Sequence, residues 1–175
     1  MNLRSRFKQA SKAIRDVVAA GQDGEETGEI LATLKQEHDE VKDLLSQLQE
    51  AESAPQRRRL VKAIKAALVP HTKAEEKVVY DAVIALRDKD AKTDGHEGYL
   101  EHEWASKTLH RLESISNATS PEHLAAGKVL KELVEHHIEE EENQVWKDVK
   151  EHFSDAQRAK MNAAFLQAKS RVKLA

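Results

Sequence analysis

The chain contains no cysteine, which removes disulfides, thiolate metal ligands and cysteine nucleophiles together. Glycine and proline are scarce, six and three in 175 residues, and aromatics make up 4%. So few breakers and so few strand-favouring rings argue against sheets. No run approaches the ~20 consecutive apolar residues of a membrane span. The basic N-terminus is broken by charge every few residues, so it lacks the apolar stretch of a signal peptide. The expectation is a cytoplasmic protein with no integral membrane part. An excess of positive charge is missing as well. The formal net charge is −3, which makes no case for a nucleic-acid partner.

What the chain does have is charge, 34% of its residues, together with much Ala, Leu, Glu and Lys, the composition of long helices. Its length favours one domain with room for a real core. Leu3, Phe7, Ala10, Ile14 and Val17 recur at helical spacing and predict an amphipathic helix over residues 3–20. That segment carries a net charge of +4. It suits self-association or folding over the rest better than membrane binding, since its apolar face is modest. Three glycines in 21–28 read as a linker. Four long helices are expected next: 29–52, 55 onward through Val79, 99–116 and 121–152. Pro55 and Pro121 sit in first turns, and Pro70 should kink the second helix. The stretch 88–98, with Gly95 and Gly98, reads as a polar connection. A last helix after Ser154 carries Met161, Phe165, Leu166 and Val172. The fold expected is all-α: an up-down four-helix bundle over 28–152, preceded by residues 1–27 and followed by a C-terminal helix over 153–175 that packs on it.

The chain also repeats itself. His71-Thr-Lys-Ala-Glu75-Glu76 matches His137-Ile-Glu-Glu-Glu141-Glu142 at an offset of 66, and the same offset superposes the two prolines. Glu37-His38-Asp39 matches Glu101-His102-Glu103 at an offset of 64. A two-helix hairpin is thus present twice. Residues four apart share a helix face, so His71 with Glu75, and His137 with Glu141, each address one point. His38 and His102 add one imidazole apiece. With a rise of about 1.5 Å per residue, all four histidines fall within about two turns of one level. One His-x-x-x-Glu in so acidic a chain means little. Four imidazoles and two carboxylates meeting in a core would be costly without a metal. Two metals could share Glu75 and Glu141 as bridges. Imidazole with carboxylate suits iron and would also accept manganese or zinc.

At these residues the chain resembles the hemerythrin-like, or HHE cation-binding, family. The resemblance covers about residues 29–150. It implies a four-helix bundle holding two iron ions, oxo- or hydroxo-bridged, on His38, His71, Glu75, His102, His137 and Glu141. Glu142 is the alternative to Glu141, because the oxygen-carrying members place that carboxylate five residues after its histidine. His136 aligns with Pro70 in the repeat and is left out. Those oxygen carriers have a further histidine four residues after the third-helix histidine, where this chain has Ser106. The resemblance therefore points away from oxygen carriage. It points towards an enzyme that reacts with hydrogen peroxide or O2, catalase-like disproportionation in oxidative stress defence being the leading expectation. The alternative is binding or sensing of O2, NO or iron without turnover. The ferritin-like Glu-x-x-His pattern is absent, as is His-Glu-x-x-His.

Several other residues were placed from the pattern alone. Tyr99 lies one turn before His102, where its phenol could reach a bound oxygen species, though a plain core role competes. Tyr80 and Trp146, related by the repeat, are expected to floor the bundle. Glu37 and Glu101 read as solvated, with orienting a histidine of a neighbouring helix as the alternative. His96, His110, His123 and His152 read as surface or loop residues.

Overall fold

A computed structural model describes residues 28–174. The helix expected over 3–20, and the self-association read into it, lie outside those residues. The first described helix, α1, is Ile30–Glu50, with Glu29 accepting from Ala32 N at 3.2 Å. Helix α2 is Ala54–Glu75, capped by Ser53, and it runs through Pro70 as a single helix. It passes into a π-helical turn, Glu76–Tyr80, and a short α3, Asp81–Ile84. Helix α4 is Lys89–Ser114, α5 is Pro121–Asn143 with Ser120 as cap, α6 is Val145–His152, and α7 is Asp155–Ser170. No strand occurs among the described residues. The fold is all-α, as the composition predicts.

Helices α1, α2, α4 and α5 form the bundle: α1 packs on α2 and α5, and α4 on α5 and α2. Helix α7 lies against α2 and α1 and puts Phe165 and Met161 into the core. Arg158 ties it down, donating to Glu29 Oε1 at 2.9 Å. Leu166 stays exposed, and Val172 falls beyond the helix end.

The apolar core is split in two. One half gathers Leu45, Leu48, Ile64, Leu109 and Leu130; the other gathers Ile30, Leu34, Val79, Val149 and Phe165. Along α1, α2 and α4 the histidine falls between residues of the two halves, and His137 on α5 falls between Val134 of one half and Val145, at the start of α6, of the other. The sequence therefore stacks a polar layer between two apolar ones.

Two readings from the sequence are corrected. Residues 88–98 are not a connection. Asp88 caps α4 by accepting from Asp90 N and Ala91 N, and the helix runs straight through both glycines. They are there for closeness. A Cβ on Gly98 would stand 2.6 Å from Tyr80 Cζ, and one on Gly95 would stand 2.8 Å from Ile84. His123, read as a surface residue, is buried at 2% exposure. Its Nδ1 accepts from Arg57 Nε at 3.4 Å, while Arg57 Nη1 donates to the carbonyls of Leu48 and Ala51. A cation placed on the last carbonyls of α1 suits the helix dipole.

Candidate metal centre

His38 on α1, His71 and Glu75 on α2, His102 on α4, and His137 and Glu141 on α5 all lie in the polar layer, each no more than 6% exposed. Their inner atoms converge. Glu75 Oε2 lies 3.2 Å from His71 Nε2 and 3.4 Å from His102 Nε2. Glu141 Oε2 lies 3.3 Å from His38 Nε2 and 3.7 Å from His137 Nε2. Each carboxylate therefore touches one imidazole from each helix hairpin. His102 Nε2 and His137 Nε2 approach to 3.0 Å.

The outer nitrogens of the same rings are also met by carboxylates, always from a neighbouring helix. Glu37 Oε2 lies 3.0 Å from His71 Nδ1, Glu142 Oε1 3.0 Å from His38 Nδ1, and Glu101 Oε2 2.7 Å from His137 Nδ1. Glu76 Oε1 is more distant, 3.4 Å from His102 Nδ1. An ionised carboxylate only accepts, so it holds an imidazole proton on Nδ1 and leaves Nε2 as the nitrogen that a metal ion would take. Glu37 and Glu101, read as solvated from the sequence, thus orient histidines of the next helix. Of the rival pair, Glu141 faces the inner nitrogens and Glu142 the outer one. His136 is exposed and stays outside the layer.

Electrostatics follow from this packing. Burial alone would raise the Glu37 carboxyl, but hydrogen bonds from His71 and Lys169 hold it below its ordinary value. Glu101 is lowered in the same way, burial being outweighed by His137. Burial would lower His71, yet the charge of Glu75 and its bond to Glu37 push it up to about 10. Glu75 lies well below the usual carboxylate range, its two histidines outweighing burial; Glu141 lies above it, through burial and the charge of Glu75. Two buried carboxylates this close do not both ionise unaided.

The tyrosines are placed otherwise than the spacing suggested. Tyr99 donates its hydroxyl to the Glu76 carbonyl and to Asp81, both at 2.9 Å, so it braces the π-helical turn and does not face the layer. Tyr80 does. Its hydroxyl lies 3.3 Å from His137 Nε2 and 3.5 Å from Glu75 Oε2. The π-helical turn is the reason. Five residues on an α-helix would put Tyr80 about 140° away from Glu75, whereas a turn closed by i→i+5 bonds brings the two together. The other hairpin has its counterpart. The helix breaks at Gln144, with φ −108° and ψ −67°, and Trp146 Nε1 donates to Glu141 Oε1 at 3.3 Å.

The donors present fit metal ions. His38, His71 and Glu75 offer ligand atoms within 4.8 Å of one another, and so do Glu75, His102 and His137. Glu75 belongs to both sets, as a bridging ligand must. His38 Nε2, Glu75 Oε1 and Glu141 Oε2 are buried without a hydrogen-bond partner, a costly state that a cation would relieve.

A small cavity of about 20 Å³ opens beside the four imidazoles, walled by Val41, Ala67, Leu68, Val134 and Ile138. A wider groove of about 310 Å³ between α2 and α4 reaches His102 and passes Ser106. Leaving a serine at that position keeps the groove open.

Comparison with known proteins agrees with this layout. A protein of Nostoc sp. named DNA nickase is 25% identical over 162 residues, which is 93% of this chain and 45% of that protein. The chain thus spans less than half of the length of that curated relative. No solved structure matches it significantly. The family model described as the Hemerythrin HHE cation binding domain matches residues 29–149. That span contains all four bundle helices and every residue of the polar layer, and the chain belongs to the hemerythrin HHE cation-binding family.

Proposed function

We propose that the chain is a non-haem di-iron protein that reacts with peroxide or O2, and that its reaction is catalase-like disproportionation of hydrogen peroxide. His38, His71, His102, His137, Glu75 and Glu141 would hold the metal. A redox-active pair there would supply two electrons to reduce one peroxide to water and regain them by oxidising a second to O2, so that two H2O2 give two H2O and one O2.

The observation that carries this reading is the cavity against the imidazoles. At about 20 Å³ it admits a water-sized molecule. Tyr80 holds a proton at its hydroxyl oxygen beside the polar layer: burial, then the charges of Glu141 and Glu75, raise its pKa well above the ordinary phenol value. It is thus a donor that does not ionise. Glu37, Glu101 and Glu142 fix the histidine rings from outside.

The test is oxygen evolution by the iron-loaded protein under anaerobic peroxide addition. Oxygen release no faster than from the same amount of free iron sinks the reading. One observation favours the alternative, binding of O2 or NO without turnover: the cavity holds one small guest at a time. That version expects a stable coloured adduct and little oxygen release. Nicking of DNA belongs to the Nostoc protein.

A further inference from the structure

We infer that Glu101, His136 and Glu140, on the outer wall of the α4–α5 pair, form a capture site for a divalent cation at the mouth of the cleft through which the inner layer is loaded. Their ligand atoms lie within 4.8 Å of one another. His136 Nε2 is 3.5 Å from Glu140 Oε1 and 3.9 Å from Glu101 Oε1, and the His136 side chain is 62% exposed. Two carboxylates and an imidazole are a suitable donor set for a first-row divalent ion.

A cleft runs inward behind these three. Asp94 and Glu97 join Glu101 and Glu140 near its mouth, and Tyr80, His137 and Glu141 form its floor. Its volume of about 10 Å³ is the size of one water or one bare ion. Within the outer cluster Glu140 Oε2 is buried without a hydrogen-bond partner, and on the floor Glu141, 2% exposed, turns its own unpartnered Oε2 to the inner histidines. Glu101 joins the two levels, since Oε2 accepts from His137 Nδ1 at 2.7 Å while Oε1 faces His136.

The four outer carboxylates are not equivalent, and the difference marks the route. Lys169 lies 2.7 Å from Glu37, Lys73 2.8 Å from Glu76, and Lys35 3.7 Å from Glu142. Those three approaches carry a positive charge that repels a metal ion. At Glu101 the neighbour is His136, a ligand in place of a lysine. The cavity beside Glu37 is lined by the Lys169 cation together with apolar side chains, both of which disfavour a passing ion. An acid-lined cleft instead raises the local cation concentration and the association rate.

The inference rests on the reading that the inner layer holds metal, and the experiment separates the two. The full chain and the double variant His136→Gln with Glu140→Gln are mixed anaerobically with Co(II), and uptake is followed by d–d absorption in stopped flow. The expected result is inner-layer loading slowed by roughly tenfold or more, with the inner-layer spectrum and its final amplitude unchanged. A second measurement uses the zinc-loaded full chain, titrated with Mn(II), and reads paramagnetic broadening of the His136 ring signals, expected at sub-millimolar metal. An unchanged loading rate, a lowered final inner-layer amplitude, or absence of broadening each overturns the capture site. If the full chain takes up no inner Co(II), the functional reading fails. The Mn(II) titration, run on the metal-free chain, then decides the outer site alone: broadening at His136 supports it and none overturns it.

Discussion

Glu37 precedes His38 in the chain, yet it serves His71 on the neighbouring helix, with its Oε2 3.0 Å from His71 Nδ1. The same crossed arrangement links Glu101 to His137 and Glu142 to His38. Carboxylates placed in this way fix ring orientation and raise ligand basicity, and losing one commonly costs 10–100-fold in metal affinity, by roughly that factor here. Glu37→Gln is expected to weaken metal binding by about tenfold or more with the helical content unchanged. Competition against a calibrated chelator measures it. Affinity equal to that of the parent would mean that Lys169, which also touches Glu37 at 2.7 Å, is what the carboxylate is for.

Tyr80 and Tyr99 offer a matched pair. Tyr80→Phe removes the one phenol that faces the layer and is expected to lower peroxide turnover by about 10²-fold, the usual scale for a lost hydrogen-bond donor at a reacting centre, with metal content unchanged. Tyr99→Phe removes bonds to Glu76 O and Asp81 and is expected to cost about 1 kcal/mol of stability with turnover retained. Oxygen release per bound iron distinguishes them. The reverse ranking would return the role to Tyr99.

How much of this was legible in the sequence depends on whether a feature is periodic along one helix or arises between helices. His71 with Glu75, and His137 with Glu141, are four-residue spacings, so their convergence could be read directly, and the duplication supplied the other two histidines. The roles of Glu37 and Glu101 exist only once helices are neighbours. Along their own helices they are charged residues beside a histidine, which is how a solvated residue looks. Tyr80 was missed as a facing group because the π-helical turn changes the angular count after Glu75; no propensity in Glu76–Tyr80 announces it. Gly95 and Gly98 were read as breakers, whereas they mark where Ile84 and the Tyr80 ring press against α4. His123 looked like a surface residue because its partner, Arg57, comes from a helix 66 positions earlier.

Chelation gives a third expectation. With the layer emptied, Glu75 and Glu141 remain buried side by side, the first held low by its histidines and the second raised by burial and by the first. Bound metal at a thousandfold excess over Kd stabilises by about 4 kcal/mol. For a chain of this size 1 kcal/mol moves Tm by roughly 2–4 °C. Removing the metal is therefore expected to lower Tm by on the order of 10 °C, restored by adding it back. Calorimetry of both forms measures it, and identical melting curves would mean that the bundle owes nothing to the ions.

The last expectation concerns pH, at the opposite end of the bundle from α7. His123 Nδ1 accepts from Arg57 Nε, so the ring must be neutral there. Burial, then the charges of Arg57 and Arg58, lower its pKa from 6.5. The unfolded chain therefore binds a proton that the folded chain refuses. The resulting stability is fully present above the unfolded value and is lost as pH falls below about 6.5 towards the folded pKa. One such group contributes a slope of at most about 1.4 kcal/mol per pH unit. His123→Gln keeps an acceptor for Arg57 but does not titrate. Urea unfolding of the metal-loaded parent and variant from about pH 7.5 to 5.5 should show the parent losing stability more steeply. The two curves would run parallel if the buried ring took up its proton in the folded state.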